Sequence, residues 1–145
     1  QKMLFCREAA KLLSQHPAIR ADVITVKKQN VQPHIQSDPN KLYNYMLGLI
    51  IPEYVSSEPR VAVFADARSI KVKSQNSLKD YMQVKLWFDI GCSTILDYFP
   101  TESTRSYQIQ FVDWLVHCIW TSYEDGQTQL LQILQPAVRL RPLFF

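Results

Sequence analysis

Val61-Ala62-Val63-Phe64-Ala65-Asp66 is a run of five apolar residues that ends at a carboxylate. A continuous apolar run of this length is typical of a central strand that is covered on both faces. In open α/β sheets, ligands bind outside the carboxyl ends of the strands. The run therefore predicts a buried strand with Asp66 at a functional position, although a carboxylate here is equally compatible with a turn or a cap.

Upstream of this strand, helical and β-branched segments alternate. Apolar residues recur at helical spacing from Lys2 to His16, and the β-branched run from Ile19 to Val26 predicts a short buried strand. The polar, proline-containing segment 29–39 predicts a loop. A second helix follows, with Asp38 as its N-cap and Pro39 as its first residue. We expect it to end near Pro52, with one apolar face formed by Leu42, Tyr45, Met46 and Leu49.

Downstream of the strand, four further elements are predicted from periodicity and proline positions. They are a helix through Leu78, Met82 and Leu86 capped by Ser77, a strand from Ser93 to Phe99 ending at Pro100, a helix from Ser106 to Tyr123, and a helix from Thr128 to Leu134 stopped by Pro136. Helices that alternate with strands imply an α/β class with a mainly parallel sheet. We expect one domain over residues 1–145, a usual domain size.

Composition excludes several classes of protein. Hydrophobic residues make up 47% and charged residues 20% of the chain, as in globular proteins. Apolar runs are too short to cross a bilayer, and no signal-peptide pattern occurs, so the cytoplasm is the expected compartment. Cys6, Cys92 and Cys118 have unrelated spacings, which favours buried thiols over a zinc site or a disulfide framework.

The charges are unevenly distributed, although the net charge is only +3. Basic residues dominate from Arg60 to Phe88, and acidic residues dominate from Asp89 to Asp113. A basic stretch followed by an acidic one would suit phosphates and metal ions respectively. For the charges taken alone, an ordinary solvated surface is the favoured explanation.

The helix after Pro100 carries two stripes. We expect its buried stripe to consist of Ile109, Val112, Val116, Ile119, Trp120 and Tyr123. Ser106, Gln110, Asp113 and His117 form a neighbouring polar stripe, which could bring Asp113 within roughly 8 Å of Asp66 for a shared Mg²⁺ or Mn²⁺ ion. His117 is a candidate proton shuttle, or simply a solvent-facing histidine. The alternative to a metal site is that this polar stripe is simply the solvent-exposed face of the helix.

Several segments resemble a known family. Glu102-Ser103 followed by Ile109-Gln110-Phe111-Val112-Asp113 is similar to the C-terminal signature of the domain-of-unknown-function-3800 family. The run ending in Asp66-Ala67-Arg68 resembles a strand of that family, and residues 42–47 resemble the helix that precedes it.

This resemblance implies a ribonuclease H-like fold and a metal-dependent nuclease, a hydrolase of nucleic-acid phosphodiesters. The catalytic and metal-binding residues would be Asp66, Glu102 and Asp113, with Mg²⁺ or Mn²⁺ as cofactor. Ser103, Gln110 and His117 would support them. The basic residues that would contact nucleic acid are Arg68, Lys71 and Lys73.

The chain also departs from the family pattern. The family opens with a strand bearing Asp-Glu-Ser, and residues 1–16 contain nothing similar. Val26-Lys27-Lys28 stands where the family often has an acidic residue. We therefore expect the N-terminal strands to lie upstream of Gln1, or the chain to be a non-catalytic binding or assembly module with a degenerate acidic site. An unpaired sheet edge would then favour a homo-oligomer.

Overall fold

The computed structural model describes residues 1–67, 75–143 and 145, and only the backbone of residues 75–77. In chain order, the helices and strands are α1 (Lys2–Gln15), β1 (Asp22–Val26), α2 (Pro33–Gln36), α3 (Pro39–Val55), β2 (Arg60–Asp66), α4 (Gln75–Val84), β3 (Ile95–Thr101), α5 (Tyr107–Glu124), α6 (Thr128–Leu134) and β4 (Arg139–Leu143). Both strand pairs in the described residues are parallel, so the predicted α/β class with parallel strands is confirmed.

The chain divides into two compact units. The central unit is Lys28–Ile109, and the terminal unit combines Gln1–Lys27 with Gln110–Phe145. β2 and β3 form the sheet of the central unit, whereas β1 and β4 form the sheet of the terminal unit. The expectation of a single, mainly parallel sheet is therefore wrong for the described residues, which form two sheets. One domain over residues 1–145 stays a prediction.

The β2–β3 sheet of the central unit is covered by helices on one face. Val61, Val63 and Ala65 of β2 pack against α3 and α4, while Phe64 points to the other face and is 61% exposed. There Phe64 stacks on Phe99 of β3 with a centroid distance of 5.1 Å. The prediction of a strand covered on both faces is wrong, because apolar residues occupy both faces of β2 and packing within the unit protects only one.

α3 begins as predicted. The Asp38 side chain accepts hydrogen bonds from the backbone N–H groups of Asn40 (3.1 Å) and Lys41 (3.2 Å), and Pro39 is the first helical residue. The helix continues three residues beyond Pro52, contrary to prediction. Pro52 lies in the last turn, where its missing N–H removes only one helical hydrogen bond, and its carbonyl still accepts from Ser56 at 3.1 Å.

The core face of α3 differs from the predicted one. Tyr45 is 44% exposed, and the residues that pack on the core of the central unit recur every fourth position. They are Tyr43, Leu47, Ile51 and Val55. Both candidate faces are apolar, so periodicity alone does not distinguish them. The predicted burial of Leu42 is confirmed.

The helix after residue 74 has the predicted core residues, and Leu78, Met82 and Leu86 are each at most 2% exposed. Its predicted cap, the Ser77 side chain, lies outside the described residues. A π-helical turn at Lys85–Asp89 follows α4 directly. β3 extends through Pro100, which was predicted to end it, because a proline is tolerated on the unpaired edge of a strand. Segment 29–39 contains α2 and a 3₁₀ turn in addition to loop.

The terminal unit is built around α1, α5 and α6. Its core contains Cys6, Leu13, Cys118, Ile119 and Leu134, each no more than 5% exposed. The predicted burial of thiols is confirmed for Cys6 and Cys118, and Cys92 of the central unit is half-buried. α1 and α6 lie where they were predicted.

β4 was not predicted from the sequence, although it pairs along the whole of β1. Arg139-Leu140-Arg141-Pro142 shows little apolar alternation, and a proline argues against a strand. The formation of β4 therefore depends on its pairing with β1 and not on a local sequence pattern.

The predicted buried face of α5 is confirmed for Ile109 and Ile119 and is wrong for its other four residues. Val112, Val116 and Trp120 are 51%, 48% and 55% exposed, and Tyr123 is also exposed. The buried residues are Ile109, Leu115, Cys118, Ile119, Thr121 and Ser122. Since apolar residues surround most of this helix, its buried side is set by the elements that pack on it.

None of the helices within the described residues combines the length and the hydrophobicity that crossing a membrane requires.

Candidate functional site

The carboxyl ends of β2 and β3 form one edge of the central unit. The register pairs Asp66 with Thr101, and Glu102 follows Thr101 directly. Because adjacent strands lie roughly 4.8 Å apart, the backbone of Glu102 leaves the sheet next to that of Asp66, one residue further along. We call this the carboxyl edge. It brings together two of the three predicted acidic residues at the place where α/β sheets bind ligands.

The orientation of α3 is fixed at the opposite edge. Thr94 lies just before β3, is 1% exposed, and donates its hydroxyl toward the carbonyls of Val55 (3.1 Å) and Glu58 (2.6 Å). The C-terminus of α3 therefore lies beside the amino ends of the strands. Since α3 packs along the sheet through its core face, its first turn lies toward the carboxyl edge.

Tyr43 brings a hydroxyl to this part of the unit. It is half-buried in the first turns of α3 and packs on the same core as Tyr98 of β3. Burial, followed by the electrostatic effects of Tyr98 and Asp66, raises the pKa of Tyr43 to about 12. Burial also raises the pKa of Tyr98, whose hydroxyl has no hydrogen-bond partner among the described residues. Both phenols therefore stay protonated at neutral pH.

Glu102 and Ser103 lead from β3 into α5. The Glu102 side chain is 60% exposed, and one of its oxygens lies 3.4 Å from Nε of Arg105. Ser103 begins the 3₁₀ turn Ser103–Arg105, and its carbonyl accepts a hydrogen bond from the Ser106 N–H at 3.3 Å. Ser106 Oγ in turn accepts from the Ile109 N–H at 3.3 Å and caps α5. Glu102 is thus held on a short, hydrogen-bonded turn with its carboxylate open to solvent.

The remaining predicted residues of the acidic site lie on α5 in the terminal unit. Asp113 and His117 are exposed, and Gln110 is half-buried. The His117 ring stacks on Trp120 and meets Trp114 edge-on, each at a centroid distance of 6.2 Å. Because Asp66 and Asp113 belong to different units, their approach within roughly 8 Å stays a prediction.

The predicted nucleic-acid contacts Arg68, Lys71 and Lys73 lie outside the described residues. In the part of the chain that the structure describes, His, Cys, Asp and Glu side chains form no group of three or more that could hold a metal ion. Asp66 and Glu102 each carry hard oxygen donors, which is the donor type that Mg²⁺ and Mn²⁺ prefer.

Tyr43 was missed in the sequence as a site residue. Its signal is the four-residue spacing with Leu47, Ile51 and Val55, which sets it on the core face of α3. A helix that connects two parallel strands runs antiparallel to them. With Tyr43 on the core face near the start of α3, this direction predicts that Tyr43 lies toward the carboxyl edge.

Comparison of the chain with protein-family models, with curated proteins and with solved structures gave no match.

Proposed function

We propose that this chain is a ribonuclease H-like domain of a metal-dependent nuclease that hydrolyses phosphodiester bonds of nucleic acid. Its acidic site would include Asp66 and Glu102 of the central unit, and a contribution from Asp113 stays a prediction. When bound there, Mg²⁺ or Mn²⁺ would supply an activated water and neutralise charge on the phosphate.

The register between β2 and β3 is the observation that carries this proposal. It brings Asp66 and Glu102 to the ends of adjacent parallel strands. Each strand end thus supplies one carboxylate, and carboxylate oxygens are the ligands that a hard divalent cation prefers. The resemblance of the Asp66 and Glu102 segments to strand-end motifs of the domain-of-unknown-function-3800 family supports the same chemistry.

The two carboxylates have different environments, which implies different contributions. Asp66 is half-buried at the end of a paired strand, so its backbone position is well fixed. Glu102 is exposed and close to the Arg105 guanidinium, which competes with a cation for its oxygens. We therefore assign the larger contribution to Asp66.

A cleavage assay tests the proposed function and the smaller contribution assigned to Glu102. With a labelled single-stranded oligonucleotide, we expect cleavage that requires Mn²⁺ or Mg²⁺ and stops on chelation. Glu102→Gln should lower kcat/KM by about tenfold, because an exposed carboxylate is a replaceable ligand worth about 1.4 kcal/mol. Glu58→Gln is the matched control, since Glu58 precedes β2 at the opposite edge and is also exposed.

Cleavage that survives chelation, or an equal effect of Glu58→Gln and Glu102→Gln, would contradict the proposal.

A second candidate function is a non-catalytic assembly module. Two observations favour it: each described strand pairs on one side only, and α5 exposes Val112, Val116 and Trp120. Unpaired strand edges template association, and exposed apolar surface promotes it. The partner that this candidate commits to is a second copy of the chain.

Light scattering tests this second candidate. We expect a mass above the 16.9 kDa of one chain at micromolar concentration, and Trp120→Asp should return it toward that value. Phe88→Asp is the control, because Phe88 is an aromatic residue of the central unit that is 77% exposed. A wild-type protein that stays at 16.9 kDa would rule out self-association.

A further inference from the structure

Cys6 of α1 and Cys118 of α5 are two buried thiols of the terminal unit. Both are 0% exposed, and both belong to the same hydrophobic core. Each is a free cysteine in this structure. Neither belongs to the acidic site. Their relative position decides whether they can react with each other.

Contacts on either side of Cys118 fix its position relative to α1. Trp114, Cys118 and Thr121 are separated by four and three residues, so they lie on one face of α5. Lys2 Nζ donates a hydrogen bond to Thr121 Oγ1 at 3.0 Å, and the Phe5 and Trp114 rings have a centroid distance of 5.7 Å. Residues on both sides of Cys118 along this face therefore contact α1.

Cys6 has the matching position on α1. It directly follows Phe5 and lies one helical turn beyond Lys2, which places it on the side of α1 that contacts α5. Burial, followed by a hydrogen bond with Cys118 and the electrostatic effect of that thiol, raises the pKa of Cys6 to about 12. The contacts on both helices therefore agree that Cys6 faces Cys118.

Two facing thiols can be oxidised to a disulfide. With a small disulfide such as oxidised glutathione as the oxidant, one cysteine thiolate attacks a sulfur of the oxidant and releases one glutathione thiol. The other cysteine then attacks the mixed disulfide and releases the second glutathione thiol. The two cysteines together lose two electrons and two protons, and the oxidant is reduced to two thiols. Because both cysteines are buried, the first attack requires a transient opening of α1.

We propose that Cys6 and Cys118 form a redox-sensitive switch, in which a reversible disulfide bond links α1 to α5. In the reduced chain, noncovalent contacts hold α1 in the terminal unit. In the oxidised chain, the bond closes the long loop from residue 6 to residue 118 and so restricts the unfolded state. This inference does not depend on the proposed function.

Peptide mapping of the full chain tests the pairing. The reduced protein is equilibrated in native buffer with oxidised and reduced glutathione, free thiols are alkylated in denaturant, and the chain is digested with trypsin. Lys and Arg residues separate Cys6, Cys92 and Cys118 in the sequence, so the three cysteines fall on different peptides. In excess oxidised glutathione, we expect residues 3–7 linked to residues 106–139. Excess reduced glutathione should abolish the linked pair.

Cys92→Ala is the matched control, since Cys92 is a half-buried cysteine of the central unit. It should form the same bond, whereas Cys118→Ala should form none. The wild-type map decides the question even if Cys118→Ala does not fold. The absence of a linked pair, a linked pair that contains Cys92, or a bond between two chains would overturn the inference.

Thermal melting shows whether the bond joins the helices in their native positions. Oxidation of Cys92→Ala should raise its melting temperature by about 5 °C or more, because the bond closes a long loop. Dithiothreitol should reverse the shift. A melting temperature that stays the same or falls on oxidation would show that the bond forms only by displacing α1, which would also overturn the inference.

Discussion

Replacing Leu86 with alanine should lower the free energy of unfolding by about 2–5 kcal/mol, the range for large-to-small changes in a closed core. Leu86 is fully buried and lies with Leu78 and Met82 in the core of the central unit. Removing its branched end leaves a cavity that the surrounding helix and sheet fill only in part. Denaturant titration followed by circular dichroism measures the loss.

The control is Leu4→Ala, since Leu4 is 65% exposed on α1 and should contribute no more than about 0.5 kcal/mol. Hydrogen exchange gives a second readout. The amides of β2, β3 and α4 should lose protection first, because the cavity lies in their unit. Equal destabilisation by Leu4→Ala and Leu86→Ala would show that the core of the central unit is assigned incorrectly.

Asp66→Asn should reduce the rate of metal-dependent cleavage by about a hundredfold or more. A metal ion contributes several kcal/mol to the stabilisation of a phosphoryl-transfer transition state, and a neutral amide oxygen is a poor substitute for a carboxylate ligand. The change keeps the shape of the side chain, so folding should be conserved. Asp89→Asn is the control, because Asp89 is an exposed carboxylate at the end of the π-helical turn.

Asp113→Asn belongs in the same experiment. An equal loss for Asp66→Asn and Asp113→Asn would support the prediction that Asp113 is a catalytic residue. A loss for Asp66→Asn alone would remove α5 from the acidic site. If neither variant differs from Asp89→Asn, the acidic residues are not catalytic.

Local signals allowed much of the fold to be predicted. The cap at Asp38 and the core of α4 depend on neighbouring residues, and both were predicted correctly. The faces of β2, α3 and α5 were not, because apolar residues such as Phe64 and Trp120 lie on sides that their unit leaves exposed. β4 was missed because its pairing with β1 is encoded in a distant segment.

The candidate site shows the same division. Asp66 was predicted as the residue that ends an apolar strand, whereas Glu102 was expected only from the family resemblance. Tyr43 was not predicted, because its relevance depends on the direction in which α3 crosses the sheet, and that direction is fixed by the buried hydroxyl of Thr94.

The division of the chain also determines the order in which contacts can form during synthesis. In the central unit, the pair Arg60–Asp97 is separated by 37 residues, whereas Lys2 and Thr121 of the terminal unit are separated by 119. Closing the longer loop costs about 1 kcal/mol more in chain entropy. The central unit is complete once Ile109 has left the ribosome, while α1 must wait for α5 and α6. A nascent chain therefore carries α1, with Cys6 and Leu13 uncovered, for as long as the rest of the terminal unit is still being translated.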